Sequence, residues 1–479
     1  MQKNLLWAGT DDGLIQLSHD GGNNWKNVSP KGLPEWSLVS LIEASPHDAG
    51  TAYAAVDAHK LDDLKPYIFK TTDFGTTWTK ITSGIPDGAY THVVREDPVR
   101  KNLLYAGTET GVYVSFNGGA NWQGLQLNLP NTPIHDLIEK NDDLLVATHG
   151  RAFWILDDIT PLRATTAQPA AEAVLYKPRV TYRMRWPDFY DRREPVGENP
   201  PTGAIVYYYL PIVPKGVVTL EFVDASGKVL RRYSNEEKKE GEAPPEWLDE
   251  ASPDKRIPTD VGVNRFAWDL HEQGPTPLAG ELDADSSNRG PMVPPGIYRV
   301  RLAADGKSRT APLDLRADPR TKISNDDLQE QSALGRKIVA RVSEIHEAVG
   351  TIREVRTQTR ELSRRFGDDP RYASLLSATK DFDKKTFDLE SQFLQVNSKG
   401  LENLSDPVRI DERLHSLLDS VEFGDAAPTK QQYEVYENLQ KEAQPLLARY
   451  RELMSKDLPA LNEMVNKQNV PVLYVPPGK

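Results

Sequence analysis

The sequence predicts a mainly β chain with an α-helical C-terminus: a partial β-propeller, then an immunoglobulin-like β-sandwich, then an antiparallel helical bundle. Three observations carry this reading. One eight-residue pattern recurs three times in the first third of the chain. Short strand patterns resume after an Ala/Thr/Pro-rich stretch, and from Ser324 the apolar period becomes helical. At 479 residues the chain is long enough for several cores, because single cores seldom grow beyond ~250–300 residues.

The recurring segments are Ser18-His19-Asp20-Gly21-Gly22-Asn23-Asn24-Trp25, Thr71-Thr72-Asp73-Phe74-Gly75-Thr76-Thr77-Trp78 and Ser115-Phe116-Asn117-Gly118-Gly119-Ala120-Asn121-Trp122. All fit [ST]-x-[DN]-x-G-x-x-W. Their tryptophans lie 53 and 44 residues apart, a spacing that suits a four-stranded blade rather than a shorter solenoid repeat. The pattern is that of a corner. An Asp or Asn side chain accepts from backbone N–H groups a few residues on, Gly takes the φ > 0 position, and Trp packs beneath. Ser18, Asp20, Gly22, Thr71, Asp73, Gly75, Ser115, Asn117 and Gly119 are therefore assigned structural roles, with Trp25, Trp78 and Trp122 expected to be buried.

Strand patterns precede each corner, as in Leu5–Thr10 with Gly13–Leu17 and Leu103–Thr108 with Gly111–Val114. Opening strands are expected at Leu38–Ala44 and Thr91–Glu96, each shortly before a proline. A fourth unit, Ile134–Ile138 with Leu144–Thr148 and Ala152–Leu156, keeps the order but lacks the corner. The first copy lacks room for an opening strand, so the chain is expected to start inside a blade. Three blades and a part fall short of the ~4–8 of a ring, and the remaining blades are expected on a preceding segment or another chain.

These residues resemble the Asp-box, or bacterial neuraminidase (BNR) repeat, superfamily, which includes sialidases, sortilin-type receptors and oligoxyloglucan hydrolases. The run Val146-Ala147-Thr148-His149-Gly150-Arg151-Ala152-Phe153-Trp154 is similar to the end of the propeller in large bacterial proteins loosely named glycosyl hydrolases or sortilin-like proteins. The resemblance continues to the C-terminus. It implies a chain that corresponds to the C-terminal part of such a protein and a periplasmic or secreted setting, although Met1 is not followed by a signal peptide.

Domain boundaries are read at 1–160 for the blades, 161–173 for a linker, 174–320 for the sandwich, 321–470 for the bundle and 471–479 for a tail. Sandwich strands are expected at Ala204–Leu210, Val217–Val223, Val229–Tyr233, Asn264–Leu270 and Gly296–Ala303. In the bundle, Ser324 and Asp327 form a capping-box pattern, and Leu334, Ile338, Val342, Ile345, Val349, Ile352, Leu362 and Phe366 trace one stripe. Further helices are expected over Tyr372–Val396, Val408–Val421 and Thr429–Val465, with Arg353, Arg356, Arg360, Arg364 and Arg365 as a solvated face.

Composition excludes several chemistries. The chain has no cysteine, hence no disulfide, thiolate ligand or cysteine nucleophile, and its net charge of -12 shows no basic stripe for nucleic acid. No apolar run reaches the ~18 residues of a transmembrane segment. The nine histidines are scattered singly, and no cofactor or metal ligand set is expected. No catalytic centre is identified. His149 and Arg151 are the candidates for one, as an acid or base beside a carboxylate-binding cation, and Trp154, Trp186 and Tyr190 are candidate stacking surfaces. The expected function is a recognition or scaffold module that binds a polypeptide or glycan. The alternatives are a sialidase- or xyloglucanase-like glycoside hydrolase whose catalytic blades largely lie elsewhere, and a sortilin-like peptide receptor.

Overall fold

A computed structural model describes residues 3–165, 170–184, 197, 199–236, 256–278, 289–367, 369–396 and 407–470. The chain divides into two compact units, Met1–Arg179 and Val180–Lys479. Strands gathered in many small sheets occupy it up to Ala317, and helices dominate from Asn325.

In the first unit, small antiparallel sheets follow one another in chain order. The first contains β1 (Leu6–Gly9), β2 (Ile15–Ser18) and β3 (Lys26–Asn27). The second contains β4 (Leu38–Ala44), β5 (Ala52–Asp57), β6 (Tyr67–Thr71) and β7 (Thr79–Lys80). The third contains β8 (Thr91–Glu96), β9 (Leu104–Thr108), β10 (Gly111–Ser115) and β11 (Gln123–Gly124). The fourth, without the corner, contains β12 (Ile134–Lys140), β13 (Asp143–Thr148) and β14 (Phe153–Leu156).

Each repeated corner closes the same way. Ser18 Oγ accepts from Gly22 N at 2.9 Å, and Asp20 Oδ1 accepts from Ser18 Oγ at 2.8 Å and Asn24 N at 2.9 Å. Thr71 and Asp73 repeat these bonds to Gly75 N and Thr77 N, at 2.9 and 2.8 Å. Ser115 and Asn117 repeat them to Gly119 N and Asn121 N, at 2.9 and 3.0 Å. Donors converging on the carboxylates from Asn24 and Thr77 hold Asp20 at a pKa of about 2 and Asp73 below its usual range.

The corner also bonds one sheet to the preceding one. Trp78 Nε1 donates to Val28 O at 2.6 Å, and Trp122 Nε1 donates to Ile81 O at 2.7 Å. Val28 and Ile81 each stand three residues beyond the tryptophan of their own repeat. The corner glycine sits against the same residue: a Cβ on Gly75, at φ +77°, would come within 2.7 Å of Val28 Cβ. Cores of Ile15, Val28, Val56 and Phe69, then of Tyr53, Ile68, Ile81 and Trp122, fill the successive gaps.

Trp78 is only partly buried, and Trp25 departs furthest from the expected burial. Trp25 is 46% exposed, whereas Trp122 is 5% exposed; among the described residues no sheet precedes the first one to offer it the carbonyl and apolar wall. At the other end, where the fourth sheet has no corner, Trp154 packs towards Leu125 around a cavity of about 50 Å³.

The stretch read as a linker opens inside a short helix, α1 (Thr160–Ala164). Arg163 donates from Nε to the buried Asp97 at 2.7 Å and also pairs with Asp142, while Leu162 packs on the core of the third and fourth sheets. Glu139 lies beside Asp97, and burial followed by that neighbouring charge pushes its carboxyl pKa up. A two-residue strand, β15 (Val174–Leu175), precedes the unit boundary.

The second unit begins with β16 (Thr181–Arg183). A five-stranded sheet runs β16, β24 (Lys307–Ala317), β23 (Gly296–Ala304), β18 (Thr219–Val223), β19 (Val229–Ser234). β17 (Ala204–Leu210) pairs with β20 (Gly262–Trp268), and β21 (His271–Gln273) with β22 (Arg289–Met292). The two larger sheets meet where the Trp268 ring stacks on Phe222 at 4.2 Å. β16 joins β24 in parallel.

α2 (Asn325–Phe366) starts at the expected cap, where Ser324 Oγ accepts from Asp327 N at 3.1 Å and Ser324 N donates to Asp327 Oδ2 at 3.3 Å. Its stripe is buried except for the partly exposed Leu362. α3 (Ala373–Phe393), α4 (Ile410–Glu422), α5 (Lys430–Glu452) and α6 (Leu458–Lys467) follow. α5 and α6 replace the single helix expected over Thr429–Val465. A π-helical turn at Leu453–Asp457 separates them, where Pro459 has no N–H to continue the ladder. Arg353 reaches Glu390, and Ser363 reaches Thr379, so α3 runs antiparallel to α2. The arginines are not one solvated face. Arg356 is 7% exposed and pairs with Asp383 and Glu390 of α3. No described helix is long and apolar enough to cross a membrane.

Trp122→Ala is expected to cost about 3–5 kcal/mol, as large aromatic truncations in cores do, and Trp25→Ala less than half of that. Urea midpoints followed in the first unit check this; equal losses would contradict the sheet-to-sheet role of the indole.

Candidate functional site

The opening strands share a local irregularity that aims side chains. The ladder of β4 with β5 skips one residue between Val39 and Leu41, that of β8 with β9 between Thr91 and Val93, and that of β12 with β13 between Ile134 and Asp136. The extra residues are Ser40, His92 and His135. A bulged residue is freed from strict alternation and can be turned out of the sheet.

Around two of these bulges the rings form a continuous column. His59, just beyond β5, stacks on Tyr90 with centroids 4.9 Å apart. Tyr90 meets His92 edge-on at 5.2 Å, His92 meets His135 at 4.8 Å, and His135 stacks on His149 at 4.9 Å. Three successive sheets thus contribute at the same end: the start of each opening strand and the finish of its neighbour.

Carboxylates anchor the column at one end. Asp57, 5% exposed, lies 2.7 Å from His59 Nδ1 and accepts from His59 N at 2.8 Å. His92 stands between Asp57 Oδ2 at 3.9 Å and Glu109 Oε2 at 3.1 Å. Desolvation and then the hydrogen bond to Glu109 push the Tyr90 hydroxyl up to about 12. His135 is held below the ordinary histidine range, first because packing against rings strips its water, then because His92 and His149 repel a third positive charge. The column presents its π faces in series from His59 to His149.

Of the sequence candidates, His149 belongs to this column. Its backbone is tied down by its own N–H to Pro133 O at 2.9 Å and by Thr132 Oγ1 to its carbonyl at 3.2 Å. Arg151 is exposed in the tight turn between β13 and β14, its N–H donating to Thr148 Oγ1 at 3.1 Å. Asp158 accepts from Thr160 Oγ1 at 2.6 Å. Trp154 is committed to packing, with its indole N–H on Arg151 O at 2.8 Å. Trp186 and Tyr190 lie outside the described residues.

Sequence reasoning missed His59, Tyr90, His92, His135, Asp57 and Glu109. The available signal was positional: His92 and His135 occupy the second place of aligned opening strands, a correspondence visible only once the bulges are known.

No protein-family model and no curated protein matches the chain. Among solved structures, it is similar to YCF48 from Cyanidioschyzon merolae, with 18% identity over 33% of this chain and 50% of that one at a TM-score of 0.26. YCF48 bound to D1 peptide matches with 15% identity over 32% of this chain and 47% of that one, again at 0.26. The GH74 enzyme of Niastella koreensis matches with 14% identity over 65% of this chain and 44% of that one, at 0.27. The chain thus spans half or less of the length of each of these structures. At such scores the likeness adds nothing to the strand pairings described above.

In an NMR titration His135 is expected to show a midpoint below ~6.5, and His92→Ala should move it upward by removing a repelling neighbour. The sign for stability follows. With its folded value depressed, His135 supports the fold above its unfolded midpoint, and that support is lost as pH falls through the folded one. An unshifted midpoint in both proteins would remove the electrostatic account of the column.

Proposed function

We propose that the first unit is an arc of an Asp-box β-propeller and serves as a non-catalytic recognition module, binding a polypeptide or glycan across the ring column from His59 to His149. The observation that carries this is the column itself. Stacked rings at one end of consecutive sheets offer π faces for an aromatic side chain or a sugar ring. Arg151, exposed beyond His149, adds a cation for a carboxylate on the same ligand.

The placement of the acids supports binding over glycoside hydrolysis. A glycosidase needs two carboxyl groups facing each other across the scissile bond, at ~5–9.5 Å. Asp57 and Glu109 instead both approach the single imidazole of His92, at 3.9 and 3.1 Å. Other acids of this unit hold local chain geometry: Asp63 accepts from Tyr67 Oη at 2.7 Å, and Asp143 from Asp158 N at 2.8 Å.

The same reading gives the exposed first sheet a role. Leu6 and Trp25, which flank Gly22 at the first corner, are 42 and 46% exposed there. We infer that a further repeat sheet, on a preceding segment or another chain, seats on Trp25 as the first sheet seats under Trp78. A periplasmic or secreted setting accords with the resemblance of the repeats.

Two measurements test these readings. Xyloglucan oligosaccharides, aryl sialosides and a displayed peptide library are offered to the full chain and to His135→Ala and Arg151→Ala variants. Binding that weakens at least tenfold in the variants, without turnover, is the expected result. Turnover by the parent chain, abolished by Glu109→Gln while folding is retained, would replace the recognition reading with the hydrolase. For the first sheet, a longer polypeptide with further repeats ahead of Met1 should shield Trp25 from acrylamide quenching; undiminished quenching would sink the seating proposal.

A further inference from the structure

The helical region of the second unit buries a cluster of a different kind. His346 lies on α2, and Asp411 and His415 lie one turn apart on α4; they are 6, 2 and 6% exposed. His346 Nε2 is 3.1 Å from Asp411 Oδ1, and His415 Nε2 is 3.7 Å from Asp411 Oδ2. One nitrogen from each histidine and one carboxylate oxygen all fall within 4.8 Å of one another. Around them is the apolar core that contains Ile345, Val349, Ile410, Leu414 and Leu418.

Proton accounting makes this grouping unusual. His346 Nδ1 is 2.6 Å from Thr276 O, and a carbonyl can only accept, so Nδ1 carries the hydrogen. In the neutral imidazole Nε2 is then a lone pair aimed at a carboxylate oxygen. Asp411 Oδ1 and His415 Nε2 make no hydrogen bond despite being buried. Buried polar atoms that make no hydrogen bond are costly in an apolar core, and a positive charge placed between them removes that cost. A proton on His346 serves one contact. A divalent cation serves all three donors together.

We infer that His346, Asp411 and His415 bind a divalent transition-metal ion of the zinc class, which clamps α2 to α4. Two imidazoles and a carboxylate are a ligand set such ions take at ~2.0–2.2 Å, and donors on one tetrahedral ion sit ~3.3 Å apart. His346 Nε2 lies 3.1 Å from one Asp411 oxygen and His415 Nε2 3.7 Å from the other, separations close to that value. Three protein ligands leave one position for water. Thr276 O acts as the outer partner that fixes the His346 tautomer and turns Nε2 inward. The zinc-protease pattern fails here because His346 is followed by Glu347 with no histidine at position 350; the second histidine comes from another helix. A sequence signal existed in Asp411 and His415, an i, i+4 pair that places two ligands on one helix face.

The full chain, freed of metal by chelator dialysis, is titrated with Zn²⁺ in a calorimeter and with Co²⁺ in the visible spectrum. One equivalent with a tetrahedral Co²⁺ ligand-field band is expected, together with a higher thermal midpoint for the helical transition. In His415→Gln that equivalent and the midpoint rise should both vanish while the far-ultraviolet circular dichroism is kept. Undiminished uptake by His415→Gln, or a helical midpoint in the wild type indifferent to zinc and chelator, would overturn the assignment. Should His415→Gln fail to fold, the wild-type midpoint alone decides, because metal bound elsewhere would not stabilise these helices.

Discussion

The first unit depends on a hydrogen bond that no sheet makes by itself. The indole N–H of one repeat needs a carbonyl on the sheet before it, and Trp78 and Trp122 find one at Val28 and Ile81. A buried indole without a partner would forfeit the bond, and a partner three residues beyond the preceding tryptophan exists only if that repeat has folded. Stability therefore passes from neighbour to neighbour, as in other stacked repeats. Trp25, with the same ring and the same corner, stays half exposed for want of one carbonyl.

Much of this architecture was legible in the sequence. The corners were readable because Asp, Gly and Trp each answer a local demand, and β4 and β8 have the bounds expected. The cap of α2 was readable for the same reason. β24 was not. Pro312 argues against a strand, yet it is tolerated because β16 pairs only with Leu315–Ala317, so the missing N–H falls where the outer edge of β24 is unpaired. The ring column was also hidden. Its members are spread from His59 to His149, and only bulges at equivalent positions bring them to one end.

In the second unit the unread information is ionic. Arg356 has the spacing of a solvated residue on α2, but Asp383 and Glu390 on α3 enclose it. Arg183 is fully buried, with Nη2 on Gln331 Oε1 at 2.9 Å and an ion pair to Asp425. Such pairs add little net stability against apolar substitutes, but separating one strands a buried charge at a cost of about 3–5 kcal/mol. They specify how helix and strand are aligned. Periodicity reports which face of a helix is apolar and is silent about which charges the neighbouring element brings.

The bulges in the opening strands carry a consequence for how such a surface diversifies. In these opening strands the residues beside the bulge are paired in the ladder, whereas the bulged residue itself is not: Ser40, His92 and His135 occupy that place in turn. Three unrelated demands, a hydroxyl and two imidazoles, are met on one backbone. Each repeat thus presents one freely writable letter on an otherwise fixed line, and a new specificity can be composed by changing letters while the page that holds them stays the same.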